Sequence, residues 1–541
     1  MTISTVRQYE SPIPPTDGSE RAIRETSERD LEARVREILN RRPAVGLALG
    51  VIRNGRLAFF AGHGLADIDA NTPVTEDTVF RIGSITKLFT AVAVMQLWEE
   101  GRVDLDAPAN DYLRAYKLIP AEAGWRPATL RHLLTHTAGI PEIRGLEDLR
   151  QADLTPSGGR PGHLSVEAGE PLPSLAKYYR RGLRIVIQPG TTFAYTNHGF
   201  ATVGQVVEDV SGMPLERYFR ERIFEPLGMD DTDLVRSERI ALKLAAGYVI
   251  GRHGAKPVPD REWTCAGSGG IYSTPRDIAR FAAALLAGGA NEHGGVLKAA
   301  TLVRMFEPHY QPDPRIPGMG LGFFRGDVAG HRVVSHDGIL PGFNSSLLLA
   351  PDGGVGVIAF TNGSSGAFGW LQIELYRLLC QLLEVPYRLV RHLPHHPEIW
   401  ADICGRYVFP PRISDLRIRL MLSGGVEVFV GGGRLMVRLL TPVPIPYQGL
   451  PLEPDDEDDP EIFRLDLSRF GMQSVRVVFS RDAAGSAAAA HTDLGGQPWS
   501  LVPRDARVEG RWLRPALGAV AAVGVMAALR RRRRQERRTS E

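Results

Sequence analysis

Ser84-Ile85-Thr86-Lys87 opens an apolar run, Ile85, Leu88, Phe89, Val92, Met95 and Trp98, that closes at Gly101. This spacing predicts a helix that begins near the serine. Three residues on, Lys87 returns to the same face one turn away. A serine hydroxyl is a poor nucleophile at neutral pH unless a neighbouring base takes its proton, and a desolvated lysine amine serves as such a base. The helix N-terminus favours negative charge developing at the same place. Ser-x-x-Lys also recurs by chance in long chains, and a helix-start serine followed by a solvated lysine is the competing reading. The rest of the chain has to decide between them.

Toward the N-terminus, Leu31, Val35, Ile38 and Leu39 predict a helix over about 27–40. Next, Val45 to Ile52 and Leu57 to Ala61 flank Asn54-Gly55. Asn-Gly between two apolar runs predicts a tight hairpin, because both turn residues must tolerate positive φ. Toward the C-terminus, Leu130 to Pro141 reads as a short helix stopped by Gly139 and Pro141. Its His132 and His136 have helical spacing for a metal pair but lack a third ligand, so capping or packing is expected of them. Residues 142–182 are rich in Gly, Pro, Ser and charge, and read as a lid or a surface loop. Tyr195-Thr196-Asn197 follows on the loop before a helix expected to end at Gly212. A phenol there relays protons and an amide orients a lysine or a carbonyl; turn chemistry explains the same residues equally well. A helix capped by Ser273 or Thr274 with Pro275 in its first turn comes next. Arg332 to Gly338, Ser345 to Ala350 and Val355 to Thr361, with the corner Pro351-Asp352-Gly353-Gly354, predict an antiparallel meander. His336 is a pocket residue or a strand-end histidine.

At 541 residues, 43% hydrophobic and 23% charged, the chain exceeds one ordinary domain and has the composition of a globular protein. A net charge of +2 over this length argues neither for nor against a nucleic-acid surface, although the C-terminus is locally very basic. Cys265, Cys380 and Cys404 are too far apart for a disulfide framework or a metal cluster, so reduced thiols are expected. Residues 1 to about 27 hold no run of seven apolar residues, which predicts no secretory signal and a cytoplasmic location.

Taken together, Ser84-x-x-Lys87, Tyr195-x-Asn197 and His336-x-Gly338 occur in an order that resembles the penicillin-recognising serine hydrolases. The branch most similar holds class C-like β-lactamases, D-alanyl-D-alanine carboxypeptidases, D-aminopeptidases and related esterases. Leu133 to Pro141, Ile223-Phe224-Glu225-Pro226-Leu227-Gly228-Met229 and Gly269-Gly270-Ile271-Tyr272-Ser273-Thr274 also look like segments of that family, and the resemblance runs from about residue 28 to 390. It implies an α/β (α+β) domain, an antiparallel sheet flanked by terminal helices plus an all-helical subdomain, with the site between them. It further implies Ser84 as nucleophile, Lys87 as general base alone or shared with Tyr195, and Tyr195 as the group that passes a proton to the leaving group. Asn197 would orient Lys87 and the substrate; His336, Gly338 and Ile339 would line the substrate strand, and the Ser84 and Ile339 N–H groups would form an oxyanion hole. No metal or cofactor is implied. Typical β-lactamases and carboxypeptidases of the family carry Lys-Thr-Gly where this chain has His336-Asp337-Gly338. A histidine of ordinary pKa is mostly neutral at pH 7 and is a weak partner for a substrate carboxylate. The departure favours an ester, amide or peptide hydrolase over a β-lactamase or D-Ala-D-Ala carboxypeptidase. A catalytically silent binding or scaffold protein of the same fold is the reading from another class.

The organisation expected is a flexible segment 1–27, the hydrolase domain 28–395, a small antiparallel β domain 396–510 and a tail 511–541. The β domain is read from Leu416 to Leu422, Val426 to Val430, Leu435 to Leu440, Phe463 to Leu467 and Val475 to Phe479; it is expected to cover the cleft or to mediate association. Asp455 to Asp459 lacks the ligand spacing of a calcium loop and reads as a solvated turn. Ala516 to Leu529 is too short to cross a bilayer as a helix. The arginines after it suit weak contact with an anionic membrane surface or a plain basic tail. The partner expected is a small-molecule or peptide substrate and no nucleic acid, with the oligomeric state left open.

Overall fold

The computed structural model describes residues 28–142, 165–168, 170, 173–251, 253–364, 366–387, 393–410, 425–440, 449–468 and 473–504. The segments 1–27 and 511–541, the run Leu416 to Leu422 and most of the expected lid lie outside these. The hairpin turns as its sequence requires: Asn54 and Gly55 sit at φ 53° and 73°, between strands Gly46–Arg53 and Arg56–Asp67. Its first strand pairs antiparallel with Val355–Thr361 of the late meander, from Leu47 opposite Thr361 to Arg53 opposite Val355. The result is one seven-stranded sheet, completed by Thr72–Pro73 at one edge and by Phe343–Ala350, His331–Leu340 and Phe324–Val328 toward the other.

Alternate residues of each strand face opposite sides. On one side Val51, Leu348 and Val357 pack against Leu31, Val35 and Ile38 of helix Glu28–Arg41, and against Trp370, Leu375 and Leu379 of helix Ala367–Leu382. On the other, Ile52, Ile358 and Phe360 share a core with helices Thr86–Glu99, Asn197–Ser211 and Pro275–Leu286. The last helix is capped by Thr274, whose side chain accepts the Asp277 N–H. Asn197–Ser211 ends at Gly212 in the left-handed region, φ 76°.

Helix Thr86–Glu99 departs from a one-sided pattern. Every residue from Thr86 to Leu97 is buried, as expected of a helix clothed by protein all round. Its polar residues have partners: Thr90 Oγ1 donates to the Gly267 carbonyl at 2.6 Å, and Gln96 Nε2 to those of Arg222 and Val296 at 2.9 and 3.0 Å. Phe89 stacks on Phe281 at 4.0 Å and meets Phe224 edge-on at 5.7 Å. Each such ring contributes roughly 1.5–3 kcal/mol on burial, which fixes the helix, and Ser84 before it, within the core.

The C-terminal β domain closes into an eight-stranded barrel. Its first strand, Gly405–Val408, meets its last, Trp499–Pro503, with Tyr407 opposite Pro503. Eight strands enclose a space that side chains fill; here Val428, Leu435, Leu452, Phe463, Phe479 and Leu501 fill it. The two ends of the acidic run pair with arginines, Asp455 with Arg464 and Arg476 at 2.7 and 3.1 Å and Asp459 with Arg315 of the larger domain at 3.0 Å, while Glu457 and Asp458 between them are exposed. The three cysteines are free, Cys265 and Cys380 being buried. Among the described residues no helix is long and apolar enough to cross a membrane.

Candidate active site

Ser84 lies in the tight turn Gly83–Ile85, which runs into helix Thr86–Glu99. Gly83 has φ 52°, and a Cβ there would stand 2.8 Å from the Ile339 nitrogen. Gly338 is tighter still, since its Cβ would fall 1.9 Å from the Ile82 carbonyl oxygen and 2.2 Å from Ser345 Oγ. These two glycines let strand His331–Leu340 lie against the serine turn, which brings Gly338 and Ile339 beside Ser84. Lys87 Nζ, fully buried, reaches Ser84 Oγ at 2.9 Å, Asn197 Oδ1 at 2.7 Å and the Ser268 carbonyl at 2.7 Å. From the other side the Tyr195 hydroxyl reaches Ser84 Oγ at 2.9 Å.

Burial pushes the Lys87 ammonium down to about 7, against the opposing pull of the Glu142 carboxylate and of Cys265. Near neutral pH a large share of Lys87 is therefore the free amine. Asn197 Oδ1 and the Ser268 carbonyl only accept hydrogen bonds. They take the two hydrogens of a neutral amine and turn its lone pair toward the Ser84 hydroxyl. The serine proton thus has an acceptor already aimed at it.

Asn197 is the first residue of its helix, one step beyond the loop expected for it. Its amide is set by a residue that the sequence reading missed. Glu142 accepts the Asn197 backbone N–H at 2.7 Å and its side-chain NH₂ at 2.6 Å, so Oδ1 has to face Lys87. Glu142 stands one place after the Gly139-Ile140-Pro141 stop, and no local spacing ties it to a residue 55 positions on.

His132 and His136 do take capping and packing places. His132 Nδ1 accepts the Thr129 N–H at 3.2 Å in a capping box at the start of Leu130–Leu134. His136, buried at φ 56°, accepts the Thr196 N–H on Nδ1 at 3.2 Å, and its ring lies 4.2 Å from that of Tyr195. It backs the tyrosine that touches Ser84.

His336 is 1% exposed and stacks on Phe324 at 4.7 Å, with its ring 6.4 Å from Tyr195. Its Nδ1 is 2.8 Å from the Asp337 carbonyl, and Nε2 has no hydrogen-bond partner among the described residues. Burial, reinforced by the Lys87 charge, pushes its pKa down to about 3. The imidazole is neutral at physiological pH, with its proton on Nδ1, and offers no cation. The cluster thus joins Ser84, Lys87, Tyr195 and Asn197 by direct hydrogen bonds, sets Gly338 and Ile339 alongside, and keeps His336 one ring away.

A Ser-x-x-Lys turn buried between an antiparallel sheet and a helical layer defines a β-lactamase-like fold. The Beta-lactamase family model matches residues 31–379, more than half of the 541 residues, and the chain belongs to that family. Its relatives include the D-alanyl-D-alanine-carboxypeptidase/endopeptidase AmpH of Escherichia coli (strain K12), 31% identical over 238 residues, 44% of this chain and 56% of AmpH. Esterase EstB of Burkholderia gladioli is 28% identical over 409 residues, 74% of this chain and 91% of EstB. The structure of the octameric penicillin-binding protein homologue from Pyrococcus abyssi aligns at 24% identity and a TM-score of 0.55, over 87% of this chain and 99% of its own. At that identity it speaks for the fold alone.

Proposed function

We propose that the chain is a serine hydrolase that acts through an acyl-enzyme on an ester, amide or peptide bond. The observation that carries this is Ser84 Oγ held at 2.9 Å from both Lys87 Nζ and the Tyr195 hydroxyl. Neutral Lys87 takes the Ser84 proton while Oγ bonds to the substrate carbonyl carbon, and the carbonyl electron pair moves onto its oxygen. The Ser84 and Ile339 N–H groups receive that oxyanion; one aimed donor of this kind has been worth about 2.7–4 kcal/mol elsewhere. The carbonyl re-forms as the leaving group departs with a proton from Tyr195, which regains one from Lys87. Water then repeats the sequence on the acyl-enzyme, releasing the acid and restoring the Ser84 hydroxyl.

Neutral, buried His336 leaves the third motif without the fixed ammonium that would pair with a carboxylate. This supports an acyl group without an anionic end, an esterase reading in line with EstB. The likeness to AmpH supports a D-Ala-ended peptide substrate, and the family's name a β-lactam, as the second reading. Intact mass after brief exposure to an activated ester, a penicillin and a fluorophosphonate tests both, with Ser84→Ala as control. An adduct on wild type that is absent from Ser84→Ala bears out the nucleophile, and the carbonyl compound that acylates and turns over separates the two. No adduct from any of the three leaves the silent scaffold.

A further inference from the structure

The barrel reaches the Ser84 cluster through one aromatic train. Trp499, at the start of strand Trp499–Pro503, is buried with Phe193, Met319 and Phe324 in a single cluster, against which Tyr195 also packs. Its ring meets Phe193 edge-on at 5.3 Å and Phe409 at 5.5 Å. Phe193 stands two residues before Tyr195. Phe324 lies 6.3 Å from the Tyr195 ring and stacks on His336. The barrel turn Leu494–Gly496 presses on the same phenylalanine, since a Cβ on Gly496 would sit 3.2 Å from Phe324 Cβ. A separate attachment, Arg315 to Asp459, Glu461 and the Phe479 carbonyl at 3.0, 3.1 and 2.9 Å, fastens the barrel independently.

We infer that Trp499 is a positioning residue for the reaction at Ser84, and that the barrel is a working part of the site rather than an appendage. Resting on the hydrolase reading above, the inference deepens it. Trp499 touches no reacting atom; it acts through the cluster it forms with Phe193 and Phe324, against which the Tyr195 ring packs. Emptying the Trp499 site leaves a cavity behind both rings, and the loop relaxes into it. A misplacement on the order of 1 Å costs about a hundredfold in rate. The group displaced is the one that hands a proton to the leaving group, so the loss has a chemical signature. An alkyl ester, whose alkoxide must be protonated as it leaves, is hurt more than a nitrophenyl ester, whose phenolate departs unprotonated.

Full-length wild type, Trp499→Ala and Trp499→Phe are compared for fluorophosphonate labelling and for turnover of an alkyl ester and a nitrophenyl ester of the same acid, with circular dichroism as the check on folding. The expected result is about a ten- to hundredfold loss of kcat on the alkyl ester in Trp499→Ala, a smaller loss on the nitrophenyl ester, little change in KM, and substantial recovery in Trp499→Phe. If Trp499→Ala does not fold, Trp499→Leu is held to the same standard. Equal losses on the two esters, or none, overturn the inference while the hydrolase reading stands. Wild type that takes no label at Ser84 overturns the hydrolase reading itself.

Discussion

Glu142 grips Asn197 twice, by its backbone N–H at 2.7 Å and by its side-chain amide at 2.6 Å, and thereby decides which amide atom faces Lys87. The same carboxylate opposes the burial that lowers Lys87. One residue therefore sets the direction of the proposed base and, against the larger effect of burial, raises its basicity.

Glu142→Gln removes the negative charge that raises the Lys87 pKa but keeps only one acceptor for the two Asn197 N–H donors, with its NH₂ facing the other, so a loss of rate at every pH should accompany the shift. The pH–rate profile of acylation should keep its shape while its acid limb moves to lower pH. In Glu142→Ala the Asn197 amide is free to turn, and acylation should fall by about tenfold or more at every pH. A profile unmoved by Glu142→Gln would show that the charge does not reach Lys87.

Acylation should rise with pH through about 7 as Lys87 sheds its proton. His336, already neutral above about 3, should leave no inflection near 6.5. Lys87→Arg keeps a cation that does not deprotonate in this range, so activity should drop by about 10²–10⁴ and the limb should vanish. Single-turnover rates between pH 5 and pH 9 check both statements; an inflection retained in Lys87→Arg would move the base role to another group.

Gly338→Ala tests the contact that brings the third-motif strand to the serine turn. Its methyl would fall 1.9 Å from the Ile82 carbonyl oxygen, a backbone clash that only separation of strand and turn relieves. The variant should lose about 1–3 kcal/mol of stability and most of its acylation rate, because Ile339 moves away from Ser84. Thermal melting together with fluorophosphonate labelling reads the pair. Full activity in a folded Gly338→Ala would mean that the Ile339 N–H is not needed.

What could be read from the chain was what neighbours in sequence decide. Asn54-Gly55 fixed a turn, Gly212 ended a helix, and Lys87 stood one turn from Ser84. The site's other members come from far away: Ser268 lends its carbonyl across 181 positions, and Trp499 reaches Phe193 from a separate domain. No periodicity encodes such contacts. The barrel was only half legible for a related reason. Leu450–Pro454 contains two prolines and Ala487–Thr492 four alanines, so neither has the β-branched or aromatic content that marks a strand; they are strands because their neighbours leave them no other pairing. Helix Thr86–Glu99 looked one-sided because its apolar stripe is visible in sequence, whereas the carbonyls to which Thr90 and Gln96 donate are not.

Asp337 gives a pH dependence of stability. Half-buried in its strand, it accepts a hydrogen bond from Ser346, and desolvation of its carboxyl pushes it up to about 6. A carboxyl raised in the folded state binds its proton more tightly there than in the unfolded chain. Its favourable contribution is therefore complete below about 4 and is lost as pH rises through 6, on the order of 3 kcal/mol in all. Asp337→Asn abolishes this titration. The melting temperature of the variant relative to wild type should be higher at pH 8 than at pH 4, and any constant cost of the amide cancels in that comparison. A difference independent of pH would mean that Asp337 ionises in the fold as readily as in water.

Recognition can be probed at His336. As it stands, the third motif offers a neutral ring stacked on Phe324, so an uncharged activated ester should acylate Ser84 faster than a penicillin, whose carboxylate finds no fixed cation there. His336→Lys places an ammonium at the same strand position. Strand burial lowers its charge, as it does for Lys87, but a bound carboxylate restores it, because an opposite charge within a few ångströms favours the protonated form. The ratio of acylation rates, penicillin over neutral ester, should therefore rise by about tenfold or more in His336→Lys, which is on the scale of a charge-assisted hydrogen bond of about 1.5–3 kcal/mol. The gain should shrink at high salt to the extent that the pair is solvent-exposed. Wild type that already prefers the penicillin would show that another group holds the carboxylate, and would turn the reading toward the carboxypeptidase side of the family.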